Sequence, residues 1–123
     1  MSEHDTQCAF NEWCKWNEKK YPALKLSFAI PNGGKRNIIT ATKMKAEGVR
    51  PGVPDWHLPV PVGGYSGLWI EFKFGKNKLS DNQRDYIGLL EKSRHVVAVC
   101  YTSEEATRAV IGYLNSTQGN AAP

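Results

Sequence analysis

The alternating segment "GLWIEFKF" (67–74) constrains the fold of this chain more than any other stretch. Every second residue is apolar, which is the period of a β-strand with one buried face: Leu68, Ile70, Phe72 and Phe74. The opposite face then carries Glu71 and Lys73 together. An exposed strand face can hold such an ion pair without any function, so the pair alone leaves a structural and a functional interpretation open.

Helices are predicted in four places from apolar spacing and from the residues that begin or end a helix. Residues 6–19 carry an apolar stripe at helical spacing, and residues 37–48 are predicted to form a second helix that a glycine ends. Two capping-box patterns precede helices over 81–92 and 103–114, namely Ser80 with Gln83 and Thr102 with Glu105.

Three more segments have strand character. Residues 24–30 alternate as a half-buried strand, and 95–101 are almost continuously apolar, as in a buried sheet position. Residues 56–62 are extended, but Pro59 and Pro61 lack an N–H, so this strand is expected at a sheet edge. The resulting order, α-β-α-β-β-α-β-α, predicts an α/β protein with a small mixed sheet flanked by helices. A chain of 123 residues fits a single domain (1–123), with a core over about 7–114 and a disordered tail at 115–123.

Positive charge is concentrated in one part of the sequence. The whole chain has a net charge of +4, whereas residues 19–50 hold eight Lys and Arg against a single acid, Glu47, a local +7. A solvated surface can produce such a bias. A polyanionic partner such as nucleic acid explains it equally well.

The cysteines and the N-terminus bear on the compartment. Three cysteines without a C-x-x-C pair argue against a disulfide framework and against structural zinc, so free thiols in a reducing compartment are expected. No apolar run approaches the ~20 residues of a membrane span, and the first residues do not resemble a secretion signal. A cytoplasmic protein is expected.

A second carboxylate precedes the 67–74 strand. Asp55 follows a proline, and a hairpin returning from it brings its side chain next to Glu71. Two converging carboxylates repel each other unless a cation lies between them, and oxygen ligands suit Mg²⁺ or Mn²⁺. With the point charge of Lys73 beside them, these groups predict a site that hydrolyses a phosphodiester bond.

The pattern Pro54-Asp55 followed by Glu71-Phe72-Lys73 resembles that of the PD-(D/E)XK nuclease superfamily. The wider sequence resembles one branch, the stand-alone VRR-NUC (virus-type replication-repair nuclease) domain. Four segments carry this likeness in the family's order over residues 7–114: "PNGGKR", "KAEGVRPGVPDWHL", "LWIEFKFGKNKLSDNQ" and "VAVCYTSEEA". One departure is that a glycine is expected just before the last strand, where this chain has "KSRHVV".

The resemblance implies roles for individual residues. Asp55, Glu71 and the backbone carbonyl of Phe72 would hold Mg²⁺ or Mn²⁺, and Lys73 would act on the water or the scissile phosphate. Glu12 on the first helix matches an acid that completes the metal site, and Gln83 matches a glutamine that supports it. The expected contacts with DNA come from a loop beside the active centre and from nearby basic residues: Asn32, Lys35, Arg36, Lys43, Lys45, Arg50, Lys76 and Lys78.

The implied activity is a metal-dependent endonuclease that cuts branched or four-way-junction DNA as a homodimer, in a bacterial or phage-infected cell. A non-catalytic nucleic-acid-binding module with the same fold is the alternative, and a hydrolase of small phosphate esters is a third interpretation. Two local interpretations are weaker. His57 lies two residues after Asp55, but no third His or Cys is spaced to complete a metal site. Gly33-Gly34-Lys35 lacks the first glycine of a phosphate-binding loop, since Ala29 stands at that position.

Overall fold

The computed structural model describes residues 2–31 and 38–116 and contains every predicted element in the predicted order. The helices are α1 (Glu3–Trp16), α2 (Ile38–Ala46), α3 (Asp81–Lys92) and α4 (Ser103–Leu114), with a short 3₁₀ helix at Pro22–Leu26. The strands are β1 (Phe28–Ala29), β2 (Trp56–Leu58), β3 (Gly67–Phe72) and β4 (His95–Cys100). The predicted α/β class is confirmed.

The four strands form one mixed sheet in the order β1-β2-β3-β4. The pairs β1–β2 and β2–β3 are antiparallel, and β3 runs parallel to β4. A parallel pair needs a crossover connection, and α3 supplies it between β3 and β4. No helix in the described part of the chain is long and apolar enough to cross a bilayer.

The hydrophobic core lies between one face of the sheet and helices α1 and α4. Apolar side chains of β2 and β3 pack there against Phe10 of α1 and Val110 of α4, both fully buried. The predicted faces of β3 are correct, because Leu68, Ile70 and Phe72 are buried on this side. Phe74 lies beyond the end of β3 and is 40% exposed.

Helix α3 covers the opposite face of the sheet. Its first turn has the predicted capping box, in which the Ser80 hydroxyl accepts from the Gln83 N–H at 3.1 Å and the Gln83 side chain accepts from the Ser80 N–H at 2.9 Å. At α4 only half of the predicted box forms. Thr102 caps the Glu105 N–H, whereas the Glu105 carboxylate accepts from the N–H of Tyr101 instead of Thr102.

The predicted strand over 24–30 is wrong except at its end. Proline favours the first turn of a helix, and Pro22 begins the 3₁₀ helix that takes up most of this segment. The Ser27 N–H and hydroxyl both donate to the Leu24 carbonyl, at 3.1 and 2.7 Å, and close the turn. As a result Leu24 is buried while Leu26 is 60% exposed, and only Phe28–Ala29 pair as a strand.

The predicted positions of two strands in the sheet are also wrong. β2 lies inside the sheet, between β1 and β3, because it ends at Leu58 and both prolines fall after the paired residues. β4 forms an edge of the described sheet, and its residues 95–99 are only partly buried. Its apolar character has another cause: α3 contacts it from one side and α4 from the other.

The structure also describes the turn before β4 and the end of α4. Arg94 stands where a glycine was expected, and it adopts the left-handed conformation with φ 68° that glycine favours. In the segment predicted as a disordered tail, the N–H groups of Asn115 and Ser116 donate to carbonyls of α4 at 3.0 and 3.1 Å. Residues 117–123 lie outside the described residues.

Gly52 is expected to tolerate no side chain. It has φ +88°, and a Cβ atom there would lie 2.3 Å from the backbone oxygen of Asn82 in α3. Gly48 has φ +104°, but a Cβ atom there would meet nothing within 4 Å, so it is a matched control. Gly48→Ala should lower the free energy of unfolding by about 1–2 kcal/mol through backbone strain alone. Gly52→Ala should lower it clearly further in urea titrations, and equal losses would contradict the close contact.

Candidate active site

Asp55 is held at the start of β2 by backbone hydrogen bonds on both sides. Its N–H donates to the Ile70 carbonyl at 2.9 Å, and its carbonyl accepts from the Ile30 N–H at 2.8 Å. The Phe72 N–H donates to Asp55 Oδ2 at 2.8 Å, so the main chain of β3 also positions the carboxylate. This antiparallel pairing brings Asp55 next to Glu71, as the sequence predicted.

Glu71 lies on the α3 side of the sheet, and its residue is only 2% exposed. The strand face opposite the apolar side chains is therefore not exposed at Glu71, because the first turn of α3 covers it. Its Oε2 atom accepts from Gln83 Nε2 at 3.0 Å and lies 3.9 Å from Lys73 Nζ. Its Oε1 atom is buried without a hydrogen-bond partner among the described residues.

This environment raises the pKa of Glu71 to about 8. Burial is the largest cause, and the negative charge of Asp55 is the next; Glu3 adds a smaller effect in the same direction. The ammonium group of Lys73 opposes these effects only in part. The side-chain contact with Asp55 also favours the protonated form of Glu71, since two ionised carboxylates cannot share a hydrogen bond. The pair therefore retains a proton, or binds another cation, near neutral pH.

Gln83 joins the site to α3 through both ends of its amide. Oε1 accepts from the Ser80 N–H, and Nε2 donates to Glu71. Gln83 therefore caps α3 and also contacts the site, so its structural role and its role at the site do not exclude each other. Lys73 follows the end of β3, where its N–H donates to the Cys100 carbonyl at 2.9 Å and its side chain is 11% exposed.

The acid on α1 that reaches the pair is Glu3, which the sequence reasoning missed. Glu3 contributes to the raised pKa of Glu71, whereas Glu12 is absent from the charges that do so and is exposed. Nine residues make about two and a half helical turns, so the two acids are about half a turn apart around α1. Both line a cavity of about 880 Å³ that also reaches Asp55. Ser2 was the available signal, because it caps α1 and starts the helix at Glu3 rather than at residue 6.

The donor set fits a hard divalent cation. The unpartnered Oε1 of Glu71 and the neighbouring carboxylate of Asp55 offer charged oxygen atoms, which Mg²⁺ and Mn²⁺ prefer. Within 2–31 and 38–116, no three His, Cys, Asp or Glu side chains are grouped closely enough to hold a metal. Water and main-chain carbonyls would therefore complete the coordination. The role predicted for the Phe72 carbonyl stays a prediction.

His57 is excluded from this donor set by its contacts. Its Nδ1 atom lies 3.0 Å from the Leu68 carbonyl, and its ring stacks on Trp69 with centroids 3.7 Å apart. Trp69 in turn donates from Nε1 to His95 Nδ1 at 3.0 Å. Burial lowers the pKa of both histidines. The two histidines and Trp69 form an aromatic group on the same sheet face as Glu71.

The predicted DNA contacts fall into two groups. Five of them lie within the described residues, and all five are exposed: Lys43, Lys45, Arg50, Lys76 and Lys78. Arg50 lines a cavity of about 230 Å³ together with Asp55 and Gln83. Asn32, Lys35 and Arg36 lie outside the described residues.

Stability should fall with pH because of Glu71. Its ordinary pKa is 4.5 and its folded value is about 8, so between these values the folded chain keeps a proton that the unfolded chain releases. The stabilising effect is complete below pH 4.5 and is lost as the pH rises through 8. Glu71→Gln, measured by urea unfolding with a chelator, should remove this loss. The exposed control Glu12→Gln should keep it, and an unchanged pH profile for Glu71→Gln would contradict the assignment.

Comparisons with known proteins agree with this fold. The family model described as VRR-NUC domain matches residues 1–104. A solved structure described as a VRR_NUC domain protein superposes with a TM-score of 0.79 at 22% identity, covering 97% of this chain and 94% of that one. None of the curated proteins compared matches. The predicted family is confirmed: this chain belongs to the VRR-NUC domain family and has its nuclease-type fold.

Proposed function

We propose that this protein is a Mg²⁺- or Mn²⁺-dependent endonuclease that hydrolyses phosphodiester bonds in structured DNA. The observation that carries the proposal is the buried Glu71 carboxylate, held against Asp55 with one oxygen unpartnered and with its pKa raised to about 8. Such a pair is costly in a folded protein unless a cation compensates its charge. Membership of a family of nuclease-type domains supports the same interpretation.

Each side chain then has a role that follows from its position. Asp55 and Glu71 would hold the cation, which when bound supplies a more acidic water and neutralises charge on phosphate. Gln83 fixes the orientation of Glu71 through its hydrogen bond to Oε2. Lys73 Nζ, 3.9 Å from the same oxygen, is placed to bind a phosphate oxygen or to steady the attacking water.

The substrate is proposed from the distribution of charge. Lys43 and Lys45 are exposed on α2, and Arg50 shares a cavity with Asp55. Phosphate groups of DNA bound to these side chains would lie along a path that ends at the carboxylates. We extend the proposal to branched DNA and to a homodimer, because a single site cuts one strand and a two-fold dimer presents two sites to a junction.

The alternative function is a nucleic-acid-binding module without catalysis. It requires the same basic surface but gives no reason for a buried carboxylate pair beside a lysine. A hydrolase of small phosphate esters would use the pair but not the exposed basic residues. Cleavage assays separate the three functions.

Cleavage should require the cation and each of the three central side chains. The purified protein is incubated with flap, fork and four-way-junction DNA in Mg²⁺, Mn²⁺ or EDTA, and the products are resolved on a denaturing gel. Asp55→Asn, Glu71→Gln and Lys73→Ala should each lower the rate by at least about a hundredfold. Lys92→Ala, exposed at the end of α3 away from Gln83 and outside the predicted DNA contacts, serves as the control for loss of a surface charge. Cleavage in EDTA, or by Glu71→Gln at the normal rate, would refute the proposal.

Glu3 and Glu12 form a matched pair for the contribution of α1. Glu3→Gln should raise the Mg²⁺ concentration that gives half of the maximal rate. The reason is that the negative charge of Glu3 acts on Glu71, so its loss weakens cation binding. Glu12→Gln removes the same charge about half a turn away around α1 and should leave this concentration unchanged. The reverse result would support the predicted role of Glu12, which is to complete the metal site directly or through water.

A further inference from the structure

A cysteine and a histidine lie together on α1, on the wall of the large cavity. Cys8 Sγ is 3.5 Å from His4 Nε2, one helical turn apart, and both side chains are exposed. Both line the cavity of about 880 Å³ that reaches Asp55. Neither residue takes part in the site formed by Asp55, Glu71 and Lys73.

The distance between the two atoms suits a shared metal ion. Zinc binds sulfur at about 2.3 Å and imidazole nitrogen at about 2.0–2.1 Å in tetrahedral geometry, which separates the two ligand atoms by about 3.5 Å. A hydrogen bond already holds Sγ and Nε2 at this separation, so a cation could replace the shared proton with little rearrangement. A thiolate with an imidazole selects Zn²⁺ and similar soft cations over Mg²⁺.

The surroundings favour a cation as well. The described residues that line the cavity include Glu3, Glu12 and Asp55, and no Lys or Arg is among them. The thiols of Cys14 and Cys100 cannot compete, because both are buried. Burial raises the pKa of Cys14 to about 12 and of Cys100 to about 11. Cys8 is therefore the thiol open to metal ions.

We propose that His4 and Cys8 form a binding site for a thiophilic divalent cation such as Zn²⁺, separate from the carboxylate pair. On binding, the thiol proton goes to solvent and the thiolate and the neutral imidazole become ligands, with no change in oxidation state. No third His, Cys, Asp or Glu within the described chain is grouped with them, so water fills the other positions. This site does not depend on nuclease activity.

Protection of the Cys8 thiol tests the proposal. The chelator-treated native protein is mixed with an aromatic disulfide reagent, and the reaction of the exposed thiol is followed by absorbance. Zn²⁺ at ten times the Kd of the proposed site leaves about one site in eleven free. The reaction should therefore slow about tenfold. Mg²⁺ should not slow it. Co²⁺ should give a thiolate-to-metal charge-transfer band that Cys8→Ser abolishes.

Two variants decide where the cation binds. His4→Ala keeps the thiol and should lose the protection, since one ligand alone binds weakly. Asp55→Asn should keep it, because this carboxylate is not a ligand of the proposed site. Equal protection in His4→Ala, or protection that disappears only in Asp55→Asn, would overturn the proposal. Neither readout requires DNA cleavage. The proposed His4–Cys8 site is therefore tested independently of the proposed function.

Discussion

The geometry of the site depends on the burial of a single carboxylate, that of Glu71. A buried carboxylate needs hydrogen bonds and positive charge to remain ionised, and Glu71 receives one amide donor and one lysine at 3.9 Å. Asp55 adds a repulsive charge instead, and one oxygen of Glu71 has no partner among the described residues. The folded chain therefore holds a site that is electrostatically incomplete, and a proton or a metal ion can complete it.

The α3 helix connects this site to the rest of the fold. Gln83 uses its amide oxygen to cap the helix and its amide nitrogen to bind Glu71, so the start of α3 and the position of the carboxylate are coupled. Gly52 lets the loop before β2 approach the backbone of Asn82, which lies beside Gln83 in the first turn of α3. The segment that carries Asp55 and the helix that covers Glu71 thus meet at a contact that excludes a methyl group.

The sequence predicted features that depend on neighbours along the chain. The alternation in 67–74 indicated the correct faces of β3, and the capping box of α3 is a local pattern that the structure contains. Features that depend on distant packing were not predictable. The alternation in 24–30 is real but Pro22 starts a 3₁₀ helix there, and β2 lies inside the sheet because its prolines follow the paired residues. The burial of Glu71 and the approach of Glu3 need three elements to pack together, which no local pattern specifies.

The strained turn at Arg94 has a consequence at the far end of the sheet. The Arg94 side chain donates to the Gly64 carbonyl at 3.1 Å, and its own carbonyl accepts from the Ser66 N–H at 2.8 Å. These bonds tie the start of β4 to the start of β3, so they set how the two parallel strands are aligned. Since strand residues alternate between faces, a slip of one residue would turn the carboxylate side towards the wrong layer. This turn lies five residues, or about 16 Å, from the level of Glu71 along the strands, and its hydrogen bonds favour the register that places Glu71 on the α3 side.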